Sequence, residues 1–441
     1  MFSRVFVANR ATVARRVVRA CNDLGLESVA GYADIDASSP HLAEATGTAR
    51  LPGYTAAATY LNADRVIAAA KASGADALHP GYGFLAEDAD FARAVASAGM
   101  CFIGPGPQWI EGLGEKTRAR ATMAAAGFPV REGSDVLTDS DAALAAARRI
   151  GYPVLLKPAA GGGGIGMLKA DDEAGLSSAF ATGRALAASA FGDGAVYLEK
   201  WLAEPRHIEF QIIGDGESTV GVFERECSVQ RRHQKVIEEA PAPLADRDRL
   251  AGVEAAAVAA LAGYDSLGTV ETLYADGDFG FLEVNTRLQV EHGVTEEVTG
   301  IDLVAAQIRI AAGNALADIL PESIEARGHA VEARIYAEDS ERMLPSTGRL
   351  AVFRPPTLTG VRVDTGYAEG QWVTPYFDPL LGKVIGTGAT REQAIGRALV
   401  GVKAFEIRGV ATNRALLETT LGGEAFIAGR LHTGMLARQF S

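Results

Sequence analysis

Short apolar stretches alternate with amphipathic ones over the first hundred residues of the chain. Residues 5–8 are apolar, and Val13, Val17 and Leu24 then recur at helical spacing. The alternation predicts strands at 5–8, 28–32, 75–79 and 101–104 and helices at 13–24, 60–72 and 91–98. This order indicates parallel strands with right-handed crossovers, an α/β arrangement. The segment 79–83 ends a strand, and open α/β sheets bind ligands at such ends.

Beyond residue 113 the pattern becomes mixed, as in an α+β arrangement. The predicted helices there are 117–127, one capped by an Asp from about 171, 247–263 and 391–403, and the predicted strands include 153–157 and 167–169. Strand patterns dominate after residue 196, and several short ones follow residue 327. No repeat of 20–50 residues is visible.

The most informative stretch runs from 269 to 291, where two strand patterns flank the turn signal 276–278. A three-residue loop would pair Ala275 with Phe279 and place Glu271 opposite Glu283, and alternation then adds Asn285 to the same face. Two facing carboxylates need a cation between them, and this oxygen-rich set suits Mg²⁺ bridging nucleotide phosphates. A solvated strand face is the simpler interpretation, but apolar neighbours argue that both faces are partly buried.

Past that strand, Arg287, Gln289 and Glu291 would continue on the same face while the chain stays extended. A guanidinium beside a carboxylate suits an oxyanion substrate that must lose a proton. Arg287 would bind and polarise the anion, and Glu291 would act as the base. A structural Arg–Glu pair is the alternative.

Two further segments carry phosphate-binding chemistry. Glycines 161–164 and 166 expose backbone amides, although a surface loop is an equally good interpretation of them alone. Lys157 precedes them on a strand and strengthens the prediction of a phosphate site. The segment 230–235 (Gln-Arg-Arg-His-Gln-Lys) concentrates cationic and amide donors, where a solvated charged face is the usual explanation. His41 lies in polar, loop-like surroundings and gives no signal.

Composition removes several classes of function. The formal net charge of −13 argues against a nucleic-acid binder. No apolar run has the length of a membrane span, and the N-terminus is typical of a strand rather than a signal peptide. Three cysteines without metal-ligand spacing fit a reducing compartment. We therefore expect a cytoplasmic enzyme that binds neither nucleic acid nor membranes.

Taken together, these segments resemble the biotin carboxylase family over nearly the whole chain, from about residue 2 to 435. The two most specific motifs are 230–235 and 285–292 (Asn-Thr-Arg-Leu-Gln-Val-Glu-His). Matches also lie at 8–10, 79–85 and 376–379, among others. The resemblance implies an ATP-grasp fold with an N-terminal Rossmann-like domain at 1–112, an ATP-grasp domain at 113–312 with a mobile lid at about 131–203, and a C-terminal biotin carboxylase domain at 327–435.

The resemblance also implies a role for each matching residue. ATP would be contacted by Lys116, Lys157, Gly163, Gly164, Glu199, Lys200, Trp201, Leu202, His207, Gln230 and His233. Mg²⁺ or Mn²⁺ would be held by Glu271, Glu283 and Asn285. Bicarbonate would be bound by Lys235, Arg287 and Val290. Glu291 would deprotonate bicarbonate to yield carboxyphosphate, and Arg334 would stabilise the biotin enolate that attacks the released CO₂.

The same resemblance implies a homodimer with Arg16 and Arg19 at its interface, a biotinylated carrier and a carboxyltransferase component. The sequence has no Met-Lys-Met acceptor motif, so we expect biotin to arrive on a separate carrier protein or domain. The chain departs from the family pattern mainly at Ala11 and Thr12, where Gly-Glu is usual, at Ile165, where a basic residue is usual, and at Gly293 and Thr347, where Pro is usual.

Three alternatives remain at this point. A different ATP-grasp ligase that forms amides would share the lysines and metal carboxylates, but it would not need the Arg287–Glu291 couple or Arg334. A divergent homologue would carboxylate an acceptor other than biotin. A regulatory protein would bind the nucleotide without catalysis, although the complete set of acid, base and metal residues argues against it.

Overall fold

In the computed structural model, which describes residues 2–159, 165–339 and 344–437, the N-terminal part is a parallel sheet flanked by helices. Its elements are β1 (Arg4–Val7), α1 (Ala11–Asp23), β2 (Glu27–Ala33), a 3₁₀ turn (Asp34–Asp36), α2 (Pro40–Glu44), β3 (Gly47–Leu51), α3 (Ala63–Ala72), β4 (Ala77–His79), α4 (Ala89–Ser97), β5 (Cys101–Phe102) and α5 (Pro107–Gly114). The strand order is β3-β2-β1-β4-β5. The predicted α/β alternation is confirmed, whereas the polar strand β3 was not predicted.

The carboxyl ends of β1 and β4 are tied together by one side chain. Asn9, directly after β1, donates hydrogen bonds from Nδ2 to the carbonyls of Pro80 at 2.7 Å and Tyr82 at 2.8 Å. These bonds hold the 79–83 turn against the start of α1. Open α/β sheets usually bind ligands at this edge, and here its shape is set by hydrogen-bonded backbone rather than by mobile side chains.

The first residue of α1 is in a left-handed conformation. Ala11 has φ 51°, where its Cβ is unfavourable by roughly 1 kcal/mol. We expect Ala11→Gly to raise the free energy of unfolding by about 1 kcal/mol, measured by urea titration. Ala68→Gly, at an exposed position inside α3, is the control and should lower it by about 1 kcal/mol. Destabilisation by both changes would contradict the prediction.

A second layer of the structure is a small antiparallel sheet with two helices against it. Helix α6 (Lys116–Ala125) precedes this layer in the chain, and its buried residues Ala119 and Met123 belong to a different core cluster. The layer itself contains α7 (Ser140–Ile150), β6 (Val154–Pro158), β7 (Leu168–Ala170), α8 (Glu173–Phe191) and β8 (Val196–Lys200), with strand order β7-β6-β8. The predicted Asp cap is Asp172, which accepts a hydrogen bond from the Gly175 amide. Apolar side chains of α7, α8 and the three strands form one core cluster.

A large sheet runs through the rest of the molecule. Its strands are β9 (Arg206–Gly214), β10 (Thr219–Arg231), β11 (Gln234–Ala240), β12 (Leu267–Ala275), β13 (Asp278–Asn285), β14 (His329–Tyr336), β17 (Val361–Thr365) and β19 (Leu380–Gly388). Their order is β13-β12-β9-β10-β11-β14-β19-β17, and neighbours pair antiparallel. Because β9 to β14 are mostly buried, their polar side chains must be paired inside the protein.

The remaining elements cover this sheet. They are α9 (Arg247–Ala260), α10 (His292–Thr299), α11 (Leu303–Ala311), α12 (Leu316–Ile319), β15 (Gly348–Arg349), β16 (Val352–Arg354), β18 (Trp372–Val373), α13 (Arg391–Ala404), β20 (Glu406–Arg408), α14 (Arg414–Leu421) and α15 (Glu424–Ile427). The short strands pair as β15-β18 and β16-β20. Among the helices described, none is both long and apolar enough to cross a membrane.

The β12–β13 hairpin differs from its prediction at the turn. The loop has two residues, Asp276 and Gly277, both with positive φ, so Ala275 faces Asp278 rather than Phe279. A β-bulge then shifts the register between Thr272 and Glu271. The turn was therefore predicted wrongly, yet Glu271 still lies opposite Glu283.

The expectation that His41 lies in polar, loop-like surroundings was wrong. His41 is fully buried in α2, and burial lowers the pKa of its imidazole to about 4. A histidine held neutral in the folded state stabilises the fold above the unfolded pKa of about 6.5, and this stability is lost as the pH falls towards 4. Between pH 6.5 and 4, the free energy of unfolding of His41→Leu should fall by up to about 3 kcal/mol less than that of the wild type, measured by urea titration. An equal fall in both proteins would contradict this.

Candidate active site

One cavity of about 1000 Å³ lies between the N-terminal sheet edge, the small sheet and the large sheet. The predicted site residues that line it are Lys116, Lys157, Glu199, Lys200, Trp201, Leu202, His207, Gln230, His233, Lys235, Glu271, Glu283, Asn285, Arg287, Val290, Glu291 and Arg334. Gly163 and Gly164 lie outside the described residues. The cavity therefore gathers side chains from positions as far apart in the sequence as Lys116 and Arg334.

The small sheet contributes a buried cation to the cavity. Lys157 on β6 is almost fully buried, and its ammonium lies 2.9 Å from the Glu199 carboxylate on β8. Burial would raise the pKa of Glu199, but the charge of Lys157 outweighs it and lowers that pKa. Lys200 is used differently, because it donates hydrogen bonds to the carbonyls of Gly151 and Tyr152 at 2.8 and 3.1 Å. Lys157 thus places its ammonium in the cavity, where it is suited to donate to phosphate oxygens.

The β10–β11 turn brings the basic segment into the cavity. Arg232 and His233 both adopt positive φ, 48° and 64°, which projects this turn from the sheet. Behind it, the Gln230 side-chain amide lies 2.9 Å from Nδ1 of His207. Nε2 of His207 lies 2.9 Å from Oε2 of Glu271. The basic segment therefore lines the cavity, with Gln230 and Arg231 buried, whereas Arg232, His233 and Gln234 at the turn are exposed to solvent.

The centre of the site is an ammonium surrounded by carboxylates. Lys235 donates hydrogen bonds to Glu271 at 2.7 Å, to Glu291 at 2.6 Å and to Glu209. Burial would lower the pKa of Lys235, but the three carboxylates raise it well above its ordinary value. Lys235 is therefore a permanent cation at the point where an inorganic anion would bind.

Glu291 is held as a carboxylate by two cations. Lys235 is one, and Arg334 on β14 donates a hydrogen bond to the other oxygen of Glu291 at 2.9 Å. Burial alone would raise the pKa of Glu291, but these charges hold it well below its ordinary value. Glu291 is 1% exposed and lies in the turn before α10, not on an extended strand as predicted. It is an ionised, desolvated base candidate.

Arg287 is fixed by partners on both sides. Its guanidinium donates to Asn285 Oδ1 and Gln289 Oε1 at 2.9 Å each, and to Glu87 at 2.8 Å. Glu87 was not predicted as a site residue, since it follows the 79–83 turn by a few residues and carries no pattern of its own. The contact with Glu87 therefore joins the N-terminal part of the structure to Arg287 and its partners in the cavity.

Glu209 and Arg225 form a buried pair behind Lys235, and neither was predicted. Arg225 donates to Glu209 at 2.5 Å and to Gln211 at 2.8 Å, and the two residues of the pair face each other across β9 and β10. The signal was present, because Glu209 follows His207 by two residues and so shares its strand face. Cys227, on β10, is fully buried, and burial raises the pKa of its thiol well above the ordinary value.

The predicted metal ligands form a suitable oxygen set. Glu271 and Glu283 are directly opposite in the hairpin, and Asn285 donates its amide to Glu271 at 2.9 Å. Glu283 is about one-third exposed to the cavity and lies 3.1 Å from the Lys116 ammonium. Protein cations thus already neutralise these carboxylates, and a hard divalent ion with phosphate ligands would fit the same donors.

The comparisons with known proteins agree with this geometry. Family models match at residues 1–110 (biotin carboxylase, N-terminal domain), 115–319 (carbamoyl-phosphate synthase L chain, ATP binding domain) and 332–438 (biotin carboxylase C-terminal domain). "Biotin carboxylase 2" of Bacillus subtilis is 45% identical over 442 residues, which cover 99% of each chain. The chain belongs to the biotin carboxylase family. "Biotin carboxylase" of Pseudomonas aeruginosa is a further family member, 43% identical over 444 residues, which cover 100% of this chain and 99% of its own.

Solved structures of the family superpose over the whole chain. The biotin carboxylase domain dimer of Hydrogenobacter thermophilus 2-oxoglutarate carboxylase, in complex with MgADP, ADP and bicarbonate, gives a TM-score of 0.96 at 41% identity, covering 100% of this chain and 98% of that one. A biotin carboxylase–βγ-ATP complex from Campylobacter jejuni gives 0.96 at 39%, covering 99% of both chains. The expected family and ATP-grasp fold are therefore confirmed.

Proposed function

We propose that this chain catalyses the ATP-dependent carboxylation of biotin with bicarbonate. The observation that carries the proposal is the arrangement of Lys235, Glu291 and Arg334, which places an ionised buried base between two cations. This arrangement lies in the same cavity as the carboxylates suited to a metal and the lysines suited to phosphates. Family membership supports the same reaction.

The nucleotide half of the site neutralises and positions phosphates. In the proposal Lys116, Lys157 and His233 contact ATP, together with the other predicted cavity residues. Glu271, Glu283 and Asn285 would hold Mg²⁺, which neutralises charge on the phosphates during transfer. The lid predicted at about 131–203 would close over the nucleotide and exclude water from the intermediate.

The anion half of the site handles bicarbonate. Lys235, Arg287 and Val290 would bind it, and Glu291 would accept its proton. The resulting carbonate oxygen attacks the γ-phosphorus, and the bond to the leaving ADP oxygen breaks to give carboxyphosphate. Decomposition releases CO₂ and phosphate, and the phosphate takes the N1′ proton of biotin.

Arg334 is suited to stabilise the biotin enolate that attacks CO₂. Its side chain lines the cavity, and its guanidinium lies 2.9 Å from Glu291 and 2.7 Å from Glu238. Burial would lower its pKa, but nearby carboxylates raise it well above the ordinary value, so it is a permanent cation. A fixed cation in a desolvated site is favourable where negative charge develops on a ureido oxygen.

Partners and domain boundaries belong to the same proposal. A biotinylated carrier would deliver the biotin and a carboxyltransferase would use the product, in the reducing cytoplasm expected from the cysteines. The domains would be 1–112, 113–312 and 327–435. For the proposed homodimer, Arg16 is engaged within its own chain by Glu296 at 2.9 Å and Asp302 at 2.5 Å, and Arg19 by Glu44 at 2.8 Å.

The test is bicarbonate-dependent ATP hydrolysis with and without free biotin, followed by transfer of label from bicarbonate to a biotinylated carrier protein. We expect hydrolysis to require bicarbonate, to rise with biotin and to be accompanied by labelled carrier. If biotin gives no stimulation while an amine or another small nucleophile does, the acceptor is not biotin. Nucleotide binding without any hydrolysis would instead favour the regulatory alternative.

A further inference from the structure

A second lysine lies close to the residues proposed to bind bicarbonate, but inside the protein rather than at the surface of the cavity. Lys383 on β19 is 1% exposed, and its ammonium donates a hydrogen bond to the backbone carbonyl of Val290 at 2.6 Å. That carbonyl belongs to the peptide bond between Val290 and Glu291. The ammonium thus holds the peptide that separates a proposed bicarbonate ligand from the proposed base.

The register of the sheet explains how two cations reach neighbouring residues of one turn. Lys383 lies directly opposite Arg334 on β14, so both side chains leave the same face. Arg334 contacts the Glu291 carboxylate, and Lys383 contacts the Val290 carbonyl. Side chain and backbone of this turn are therefore held from adjacent positions on two paired strands.

The positive charge of Lys383 is balanced by buried carboxylates that do not line the cavity. Glu332 lies 3.3 Å and Asp364 3.7 Å from its ammonium, and Asp364 is also bound by Arg362 at 2.8 Å. Asp364 faces Lys383 in the register of β17 and β19. A buried ammonium in this setting keeps a fixed position, because it is hydrogen-bonded to the Val290 carbonyl and lies between two carboxylates, of which Asp364 is itself paired with Arg362.

The start of α10 lies tightly on the same strand. A Cβ on Gly293 would come within 2.5 Å of Ile385 Cδ1, 3.3 Å of Glu332 Oε2 and 3.7 Å of Lys383 Nζ. The Gly found here instead of the usual Pro therefore accommodates the close packing of α10 on β19. The Val290–Glu291 turn is therefore held by the Lys383 ammonium and is followed directly by a helix that packs closely on β19.

We propose that Lys383 is a positioning residue, which orients the Val290–Glu291 turn for the binding and deprotonation of bicarbonate. This inference rests on the proposed function. The contacts of Lys383 are to the turn and to buried carboxylates on the large sheet, away from the residues proposed to bind the nucleotide. Loss of its ammonium should therefore affect bicarbonate selectively, because small displacements of reacting groups lower rates steeply.

The test uses Lys383→Met combined with Glu332→Gln, which removes one positive and one negative charge together. We expect kcat/KM for bicarbonate to fall about 10-fold or more, while the KM for ATP stays within about twofold. The exposed Lys71→Met is the control and should leave both values near those of the wild type. Glu332→Gln alone is the reference for the lost carboxylate, and its defect in bicarbonate kinetics should be smaller than that of the double variant. Thermal unfolding of each variant is measured in parallel. A second variant, Lys383→Arg, keeps the charge but displaces the donors, and it should show a smaller defect of the same kind.

Each other outcome overturns the inference. Normal bicarbonate kinetics in a folded double variant would show that the contact is dispensable. A parallel rise in the KM values of ATP and bicarbonate would indicate a general loss of structure, as would failure of both Lys383 variants to fold. If the wild-type protein itself shows no bicarbonate-dependent biotin carboxylation, the proposed function fails, and this result is distinct from all of those above.

Discussion

Replacement of Glu291 by Gln is expected to lower biotin carboxylation by about 10²–10⁴-fold, the usual contribution of a positioned general base. The amide keeps the size of the side chain, and its single oxygen can accept from Lys235 or from Arg334, which donate to different oxygens of Glu291, but it cannot take a proton. Because these two cations keep the Glu291 pKa well below its ordinary value, the wild-type base is already ionised throughout the neutral range. The loss should therefore persist at every pH between about 6 and 8.

Steady-state assays of phosphate release and labelled carboxybiotin measure this effect. The KM for ATP should change little, since Glu291 contacts the anion pocket rather than the buried Lys157 region. Glu325→Gln, at an exposed position on the surface, is the matched control and should behave as the wild type. Near-normal activity of Glu291→Gln would remove Glu291 from the proposed reaction.

The hairpin shows what sequence reasoning could establish here. Alternation correctly predicted that Glu271 and Glu283 face each other, although the loop was assigned three residues. Asp276 and Gly277 instead form a two-residue turn with positive φ, which suits the twist of paired strands. The one-residue error is cancelled by a bulge, and a bulge leaves no period in the sequence. The correct pairing was thus reached through two errors that compensate.

Residues that act through tertiary contacts were beyond prediction. Glu87 meets Arg287 only because the edge of the N-terminal sheet packs on the large sheet. Lys383 reaches Val290 only through the register of β14 and β19. Neither carries a local pattern that distinguishes it from a surface charge. In contrast, the segments 230–235 and 285–292 could be identified because many chemically specific residues occur together in the sequence.

Arg334→Met is expected to separate the two halves of the reaction. Bicarbonate-dependent ATP hydrolysis should remain measurable, because Lys235 still holds the Glu291 carboxylate. Carboxybiotin formation should fall by about 10²–10³-fold, since the donor to the developing enolate oxygen is lost. The buried partner Glu238, 2.7 Å from Arg334, can tolerate the change. Burial raises its pKa to about 8 even in the presence of Arg334, so this carboxyl is already mostly protonated at neutral pH and removal of the arginine leaves little uncompensated charge.

The ratio of labelled carboxybiotin to phosphate released is the decisive measurement, because misfolding lowers both quantities together and leaves the ratio unchanged. Arg327→Met, at a fully solvated surface position, is the control and should keep the wild-type ratio. Arg334→Lys retains a cation but not the planar donor pair, so a partial recovery of the ratio would indicate that charge alone contributes. An unchanged ratio in an Arg334→Met protein whose thermal unfolding matches that of the wild type would place this arginine in bicarbonate activation with Glu291 and not in enolate stabilisation.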